Sequence, residues 1–185
     1  VDTECPRIYI VGHWNYNDTV LKPVYVVSSA DKVELFLNGK SLGNGERDYH
    51  FLYTFKDIAF VPGRLEAVGY DEKGKECCRT QLQTAGKPEQ IQWKADGADM
   101  VLLQVEVMDK DGNRCPLAND LIHFEVEGPA EWRGGIAQGE NNYILSKDLP
   151  VECGINRALI RSLTTAGNVR ITAKADGLKP AEISL

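Results

Sequence analysis

The sequence is notable first for what it lacks. No stretch of 18 apolar residues occurs anywhere in its 185 positions, so it contains no apolar membrane-spanning helix. A charged-then-apolar leader is also missing, and the chain starts at Val1 rather than Met, as expected of a mature or excised piece. Neither sign of charge forms a block of five, although 21 residues are basic and 27 acidic. A basic stripe for nucleic acid is therefore excluded. Histidine is scarce, with only His13, His50 and His123, and no serine stands in G-x-S-x-G. Nucleophilic catalysis, which needs a base beside Ser or Cys, has little to work with. The five cysteines (Cys5, Cys77, Cys78, Cys115 and Cys153) are odd in number, include an adjacent pair and fit no zinc-ligand spacing. They are expected to be free, buried or half-buried thiols, with one bridge in an oxidising compartment left open. Helical periodicity is absent, apart from a single turn expected over residues 57–60.

Strand signals are present in quantity. The clearest is residues 31–43, DKVELFLNGKSLG. Asn38-Gly39 suits a two-residue type I′ turn, in which both central residues need positive φ. Val33, Leu35 and Leu37 alternate with Glu34 and Phe36, the period of a strand with one buried face. Such a turn sets a register with Leu37 opposite Lys40 and Leu35 opposite Leu42. Further short strands are expected over 7–11, 22–28, 50–55, 64–70 and 77–83, with polar turns at 44–48 and 71–74. Turn signals every 8–12 residues make a β-sandwich. Thr84-Ala85-Gly86-Lys87-Pro88 reads as a linker, after which strands restart at 90–94, 102–108, 122–127, 158–162 and 168–173. Two turns resemble each other across that linker, Asp71…Gly74 and Asp109…Gly112. The fold class is therefore all-β, in two antiparallel sandwiches over residues 1–86 and 87–185, each near the size of a small domain.

Candidate chemistry is sparse. His50 and His123 lie in strand-like runs and read as structural or solvated. Gly43-Asn44-Gly45 lacks the third glycine and the helix of a phosphate loop. Asp109-Lys110-Asp111-Gly112-Asn113 partly imitates a calcium loop, but its glycine is at the fourth position rather than the sixth, so a β-turn is expected. No pattern calls for a metal or cofactor. The aromatics are the better lead. Trp14, Trp93 and Trp132 lie at or near expected loops, with Tyr16 and Tyr143 in polar surroundings. Trp14-Asn15 and the segment Trp132-Arg133…Asn141-Asn142-Tyr143 hold the ingredients of a sugar site, an aromatic face with polar neighbours. The competing expectation is that these rings pack inside the sandwiches.

Several stretches together resemble a known family. HWNYND at 13–18, VSSADKVELFLNGKSLG at 27–43 and PGRLEAVGYDEKGKE at 62–76 are similar to the domain that follows the catalytic barrel in many bacterial glycoside hydrolase family 2 enzymes. AGKPEQIQW (85–93), VEVMDKDGNRCPLA (105–118), FEVEGPAEWRGG (124–135) and ITAKADGLKPAEI (171–183) resemble the next C-terminal domain of the same enzymes. The resemblance implies two tandem immunoglobulin-like antiparallel sandwiches from a β-galactosidase-like enzyme, secreted or periplasmic. In that family the catalytic glutamates belong to a (β/α)₈ barrel. No such alternation of strands and helices occurs here, so no catalytic residue is carried over to this chain. The expected function is a non-catalytic accessory region, bracing the barrel or shaping its substrate entrance. The alternatives are a carbohydrate-binding module and an Ig-like surface or adhesin fragment. The partners implied are the catalytic barrel of the same polypeptide, a glycan, and a second copy of the chain. His13, Trp14, Asn15, Trp132, Arg133, Asn141 and Tyr143 are the candidates for barrel or carbohydrate contact.

Overall fold

The computed structural model describes residues 6–17, 20–97, 99–138 and 141–185. These residues divide into two compact units, Val1–Thr84 and Ala85–Leu185. The described residues contain strands and turns and no helix.

The first unit has eight strands: β1 (Ile8–Ile10), β2 (Leu21–Ser28), β3 (Lys32–Leu37), β4 (Lys40–Asn44), β5 (Glu46–Tyr49), β6 (Leu52–Ala59), β7 (Arg64–Tyr70) and β8 (Glu76–Gln83). They form two four-stranded sheets, ordered β1-β2-β6-β5 and β4-β3-β7-β8, with every pair antiparallel. Alternation places Val24 and Val26 of one sheet, and Val33, Leu35, Leu65 and Ala67 of the other, in a shared apolar core. Burying such side chains is the main favourable term in holding two sheets together.

The hairpin at Asn38-Gly39 forms with φ of 52° and 80° at those residues, as a type I′ turn requires. Leu37 does pair with Lys40, but the expected Leu35–Leu42 pair does not form. Leu35 lies opposite Gly43 instead, because a β-bulge inserts Leu42 between the Phe36–Ser41 and Leu35–Gly43 pairs. Gly43 takes φ +93°, which glycine adopts without a Cβ penalty, and that conformation lets the strand bulge. Three further readings are corrected. Residues 44–48 are not merely a turn, since β5 runs through Glu46–Tyr49. All four of its residues are exposed, so no buried face marked it as a strand. The single turn expected over 57–60 is a bulge within β6, where Lys56 and Asp57 together oppose Pro23. Proline has no N–H to give to the ladder and tolerates such a place. His50 stands in the turn between β5 and β6 at φ 33°, not within a strand.

The second unit has nine strands: β9 (Gln90–Gly97), β10 (Met100–Met108), β11 (Leu121–Glu127), β12 (Ala130–Gln138), β13 (Asn141–Ile144), β14 (Asp148–Pro150), β15 (Ile155–Ser162), β16 (Arg170–Lys174) and β17 (Ala181–Ser184). A five-stranded sheet, β13-β12-β15-β10-β9, and a four-stranded sheet, β14-β11-β16-β17, share a core that includes Leu103, Ile122, Phe124, Leu149, Ile160 and Ile171. Both units are thus immunoglobulin-like antiparallel sandwiches. Trp93 and Trp132 lie within β9 and β12, so their expected loop positions are corrected. Gly134 and Gly135 disguise β12 as a loop in sequence. In the fold Arg133 is the bulged residue between the Trp132–Ile160 and Gly134–Leu159 pairs, and Gly134 follows it at φ +77°.

The two turns alike in sequence are alike in their bonding. Asp71 Oδ1 accepts the N–H groups of Lys73 (2.9 Å) and Lys75 (2.8 Å), and Asp109 Oδ1 accepts those of Asp111 (2.9 Å) and Asn113 (2.8 Å). Each is an aspartate folding its own turn. Asp109 also accepts the Gly86 N–H (2.8 Å) and the Asn113 side-chain amide (3.1 Å), which occupies the carboxylate with N–H donors. Among the described residues no group of three or more His, Cys, Asp or Glu is placed to hold a metal ion.

Candidate functional site

The segment His13–Tyr16 connects β1 to β2 and is built around Trp14. The Trp14 ring is 2% exposed. It meets Phe60 edge-on at 5.3 Å, and Tyr16 packs edge-on against Phe60 at 5.2 Å. Such T-shaped pairs bring a positive ring edge to a negative face. The indole N–H donates to the Val61 carbonyl (3.0 Å), satisfying the one polar group of the buried side chain. The Thr84 hydroxyl donates to the Trp14 carbonyl (2.8 Å) and accepts the Gly63 N–H (3.0 Å). The end of the unit therefore pins the connection from below.

His13 is half-buried. Its Nδ1 accepts the Asn15 N–H (3.2 Å), which places the ring proton of the neutral imidazole on Nε2. The Tyr16 hydroxyl donates to the His13 carbonyl (3.2 Å), and Lys22 Nζ lies 4.6 Å above the Tyr16 ring, in cation–π range. Asn15 is buried. Of the three candidates in this segment, His13 keeps the most accessible side chain, and the Trp14 ring is not presented to a sugar.

The other candidates belong to β12 and β13 and do not share one face. Trp132 turns inward, stacks on Phe124 at 5.1 Å and donates its indole N–H to the Ser146 carbonyl (2.7 Å). Tyr143 packs against the same core. Arg133, the next residue along the strand, turns outward and pairs with Glu131 (2.7 Å). Asn141 opens β13, opposite Gln138. The aromatic face and the arginine are thus on opposite sides of the sheet.

Arg133 instead borders a groove on the outer face of the five-stranded sheet, with a volume of about 590 Å³. Leu102, Ile136, Ile144 and Leu159 line its floor and walls, and Arg157 and Glu152 lie on its rim. Ile136 is 72% exposed. None of these groove residues except Arg133 stands out in sequence. The available signal was the run Ala158-Leu159-Ile160, where alternation calls for a polar middle residue and a leucine is found.

One histidine–carboxylate contact among the described residues has the look of catalysis, His123 Nδ1 and Asp148 Oδ1 lying 2.7 Å apart. Ser146 is near in sequence, but its hydroxyl donates to the Asp148 carbonyl (2.9 Å) and accepts the Asp148 N–H (3.2 Å). A nucleophile must be aimed at the histidine, so this is a surface hydrogen-bonded pair and a turn. Glu106 is the most enclosed carboxylate after Asp109. Burial raises its pKa, but bonds from Lys94 (2.5 Å) and Gln104 (2.6 Å) outweigh that and leave it lowered. It is held ionised, the opposite of what a general acid needs.

The two sandwiches, with their tryptophans turned inward, define an all-β, immunoglobulin-like class of module. Residues 86–184 match the family described as glycoside hydrolase family 2 C-terminal domain 5, and residues 20–78 match a domain of unknown function. The chain belongs to glycoside hydrolase family 2, as part of the C-terminal region of its enzymes. It is 36% identical to a β-glucuronidase of Formosa agariphila, over 97% of this chain and 19% of that protein. It is also 31% identical to a β-galactosidase of Bacteroides ovatus, over 99% of this chain and 23% of that protein. Among solved structures, a family 2 β-glucuronidase superposes with a TM-score of 0.90 at 34% identity, over 98% of this chain and 20% of that one. A family 2 member from Bacteroides cellulosilyticus superposes at 0.89 with 30% identity, over 99% and 29%. The chain thus spans between about an eighth and a quarter of the length of the curated relatives it matches.

Proposed function

We propose that this region is a non-catalytic accessory part of a family 2 glycosidase, bracing the catalytic barrel or shaping its substrate entrance. The observation that carries the reading is the partial coverage of β-glucuronidases and β-galactosidases by a chain whose buried carboxylates, Glu66, Glu106 and Asp109, are held in ion pairs and a turn. In this reading His13, Trp14 and Asn15 form a preorganised corner. Trp14 and Asn15 anchor it, and the half-buried His13 is the side chain of the corner nearest the surface. The parent enzyme acts outside the cytoplasm, in the periplasm or the medium. Chromogenic β-galactosides and β-glucuronides should not be turned over by residues 1–185 alone, and turnover above background would end this reading. Deleting the region from the full-length enzyme should lower the melting temperature of the catalytic part.

A second reading, carbohydrate binding, is favoured by the groove of the second unit, where apolar walls meet the guanidinium groups of Arg133 and Arg157. Affinity electrophoresis through neutral and uronate-containing polysaccharides separates the two, since a bracing region migrates unretarded. Arg157→Ala should abolish any retardation due to the groove.

A further inference from the structure

The solvent side of the sheet β1-β2-β6-β5 carries an apolar row across all four strands. Tyr9 pairs with Val27, Val27 with Leu52, and Leu52 with Tyr49, and residues paired in this way share a face. Tyr9, Val27 and Tyr49 are 62%, 43% and 71% exposed, so the face is the outer one. In the next row Tyr25 is exposed, with Val11 beside it through its N–H bond to the Tyr25 carbonyl. Phe51 adds an exposed ring at the β5–β6 turn. The outer side of the other sheet is different in kind. There Glu34 and Arg79 flank Val68, and Glu66 pairs with Gln81. Alternation explains why inward residues are apolar, but it leaves the three tyrosines and the valines facing water unexplained.

We propose that this outer face is the docking surface for the catalytic portion of the same polypeptide, a proposal that rests on the accessory reading above. The chain accounts for 19% and 23% of its curated relatives, so most of such an enzyme lies outside it. β1 is the first described strand, the edge of this sheet and the carrier of Tyr9, so the preceding chain is delivered to the border of the apolar face. The exposed apolar area is on the order of 600 Å², at the upper end of what a monomer leaves bare. A free partner needs roughly 800 Å² per side, whereas a tethered one binds at high effective concentration and manages with less. Area and connection both favour the covalently linked portion over a second copy.

Hydroxyl-radical footprinting of the full-length enzyme tests this, read by mass spectrometry at Tyr9, Tyr25, Tyr49 and Phe51 over a series of enzyme concentrations. Tyr53, which is 2% exposed, serves as the buried reference. The four rings should oxidise as slowly as Tyr53 at every concentration. Tyr25→Glu, a change on the outer side that leaves the core intact, should abolish protection of the other three while the circular dichroism spectrum is unchanged. Oxidation of all four rings in the unaltered enzyme overturns the proposal. Protection that disappears on dilution also overturns it, since it assigns the face to a second copy. Freely oxidised rings, in an enzyme whose catalytic part still loses thermal stability when the region is deleted, overturn the face and leave the accessory reading standing. Freely oxidised rings with unchanged thermal stability overturn both.

Discussion

Asn38 and Gly63 meet tightly enough that a Cβ on Gly63 would fall 1.8 Å from Asn38 Oδ1. The Asn38 amide donates to the Pro62 carbonyl (3.1 Å), and its Oδ1 accepts the Arg64 N–H (2.8 Å). One side chain thus serves its own hairpin turn and clamps the entry to β7. Gly63→Ala meets both the clash and a φ of +137°, so it should cost about 2 kcal/mol or more of unfolding free energy in urea. Asn38→Gly keeps the positive φ and loses only the clamp, at about 1 kcal/mol. Equal costs for the two variants would refute this division of labour.

Trp14→Ala should destabilise the first unit by about 3–5 kcal/mol, the usual cost of emptying a buried tryptophan site. Trp14→Phe keeps much of the packing and loses the bond to the Val61 carbonyl, for about 1 kcal/mol from that bond. If calorimetry finds Trp14→Ala within a few tenths of a kcal/mol of the parent, the anchoring role of the ring is wrong.

Asp109 makes the second unit sensitive to acid. Burial raises its pKa, but the hydrogen bonds from Gly86, Asn113 and Asp111 outweigh that and hold it at about 2, against 3.8 for the free side chain. The unfolded chain therefore binds the proton more tightly than the folded one. The stabilisation is complete above about pH 4 and is lost as pH falls through 2; its size is on the order of 2 kcal/mol. Asp109→Asn should remove this dependence between pH 4 and 2 and lower stability at pH 7. An unchanged pH profile would contradict the assignment.

Thiol reactivity should follow burial. Cys115 is pushed up to about 11 by burial, with the charges of Asp109 and Asp120 adding to it, and Cys77 to about 11 by burial and its neighbour Cys78. Such thiols hold little thiolate near neutral pH, and the thiolate is the reacting form. Cys153 is exposed. Iodoacetamide at pH 7.5, followed by peptide mass spectrometry, should label Cys153 well before Cys115. Equal rates at the two sites would show that the core around Cys115 opens readily. Cys5 lies outside the described residues.

Local chemistry made much of the fold legible. Asn38-Gly39 needs positive φ at two consecutive positions, and the alternation around it fixes which side chains turn inward, so that hairpin follows from nearest neighbours along the chain. The two Asp-led turns follow for the same reason, because each aspartate bonds the backbone within four residues of itself. Edge strands such as β5 were hidden, because an edge strand buries little and leaves no period to read.

Pairing across the fold decided the rest. Gly43 could as well have continued a regular ladder, and only its pairing with Leu35 makes Leu42 the bulged residue. The tryptophans show the same limit. An indole beside asparagine or arginine fits a sugar platform or a core anchor equally well in sequence. Trp14 became an anchor through Phe60, Val61 and Thr84, residues 46 to 70 positions away, and Trp132 through Phe124 and Ser146. The sequence alone determined an all-β chain and its family, through turns and short motifs that act locally. The tertiary structure decided which aromatic rings are spent on the core and which, like Tyr9 and Tyr49, are left facing outward, because burial depends on what the opposing sheet brings to each face.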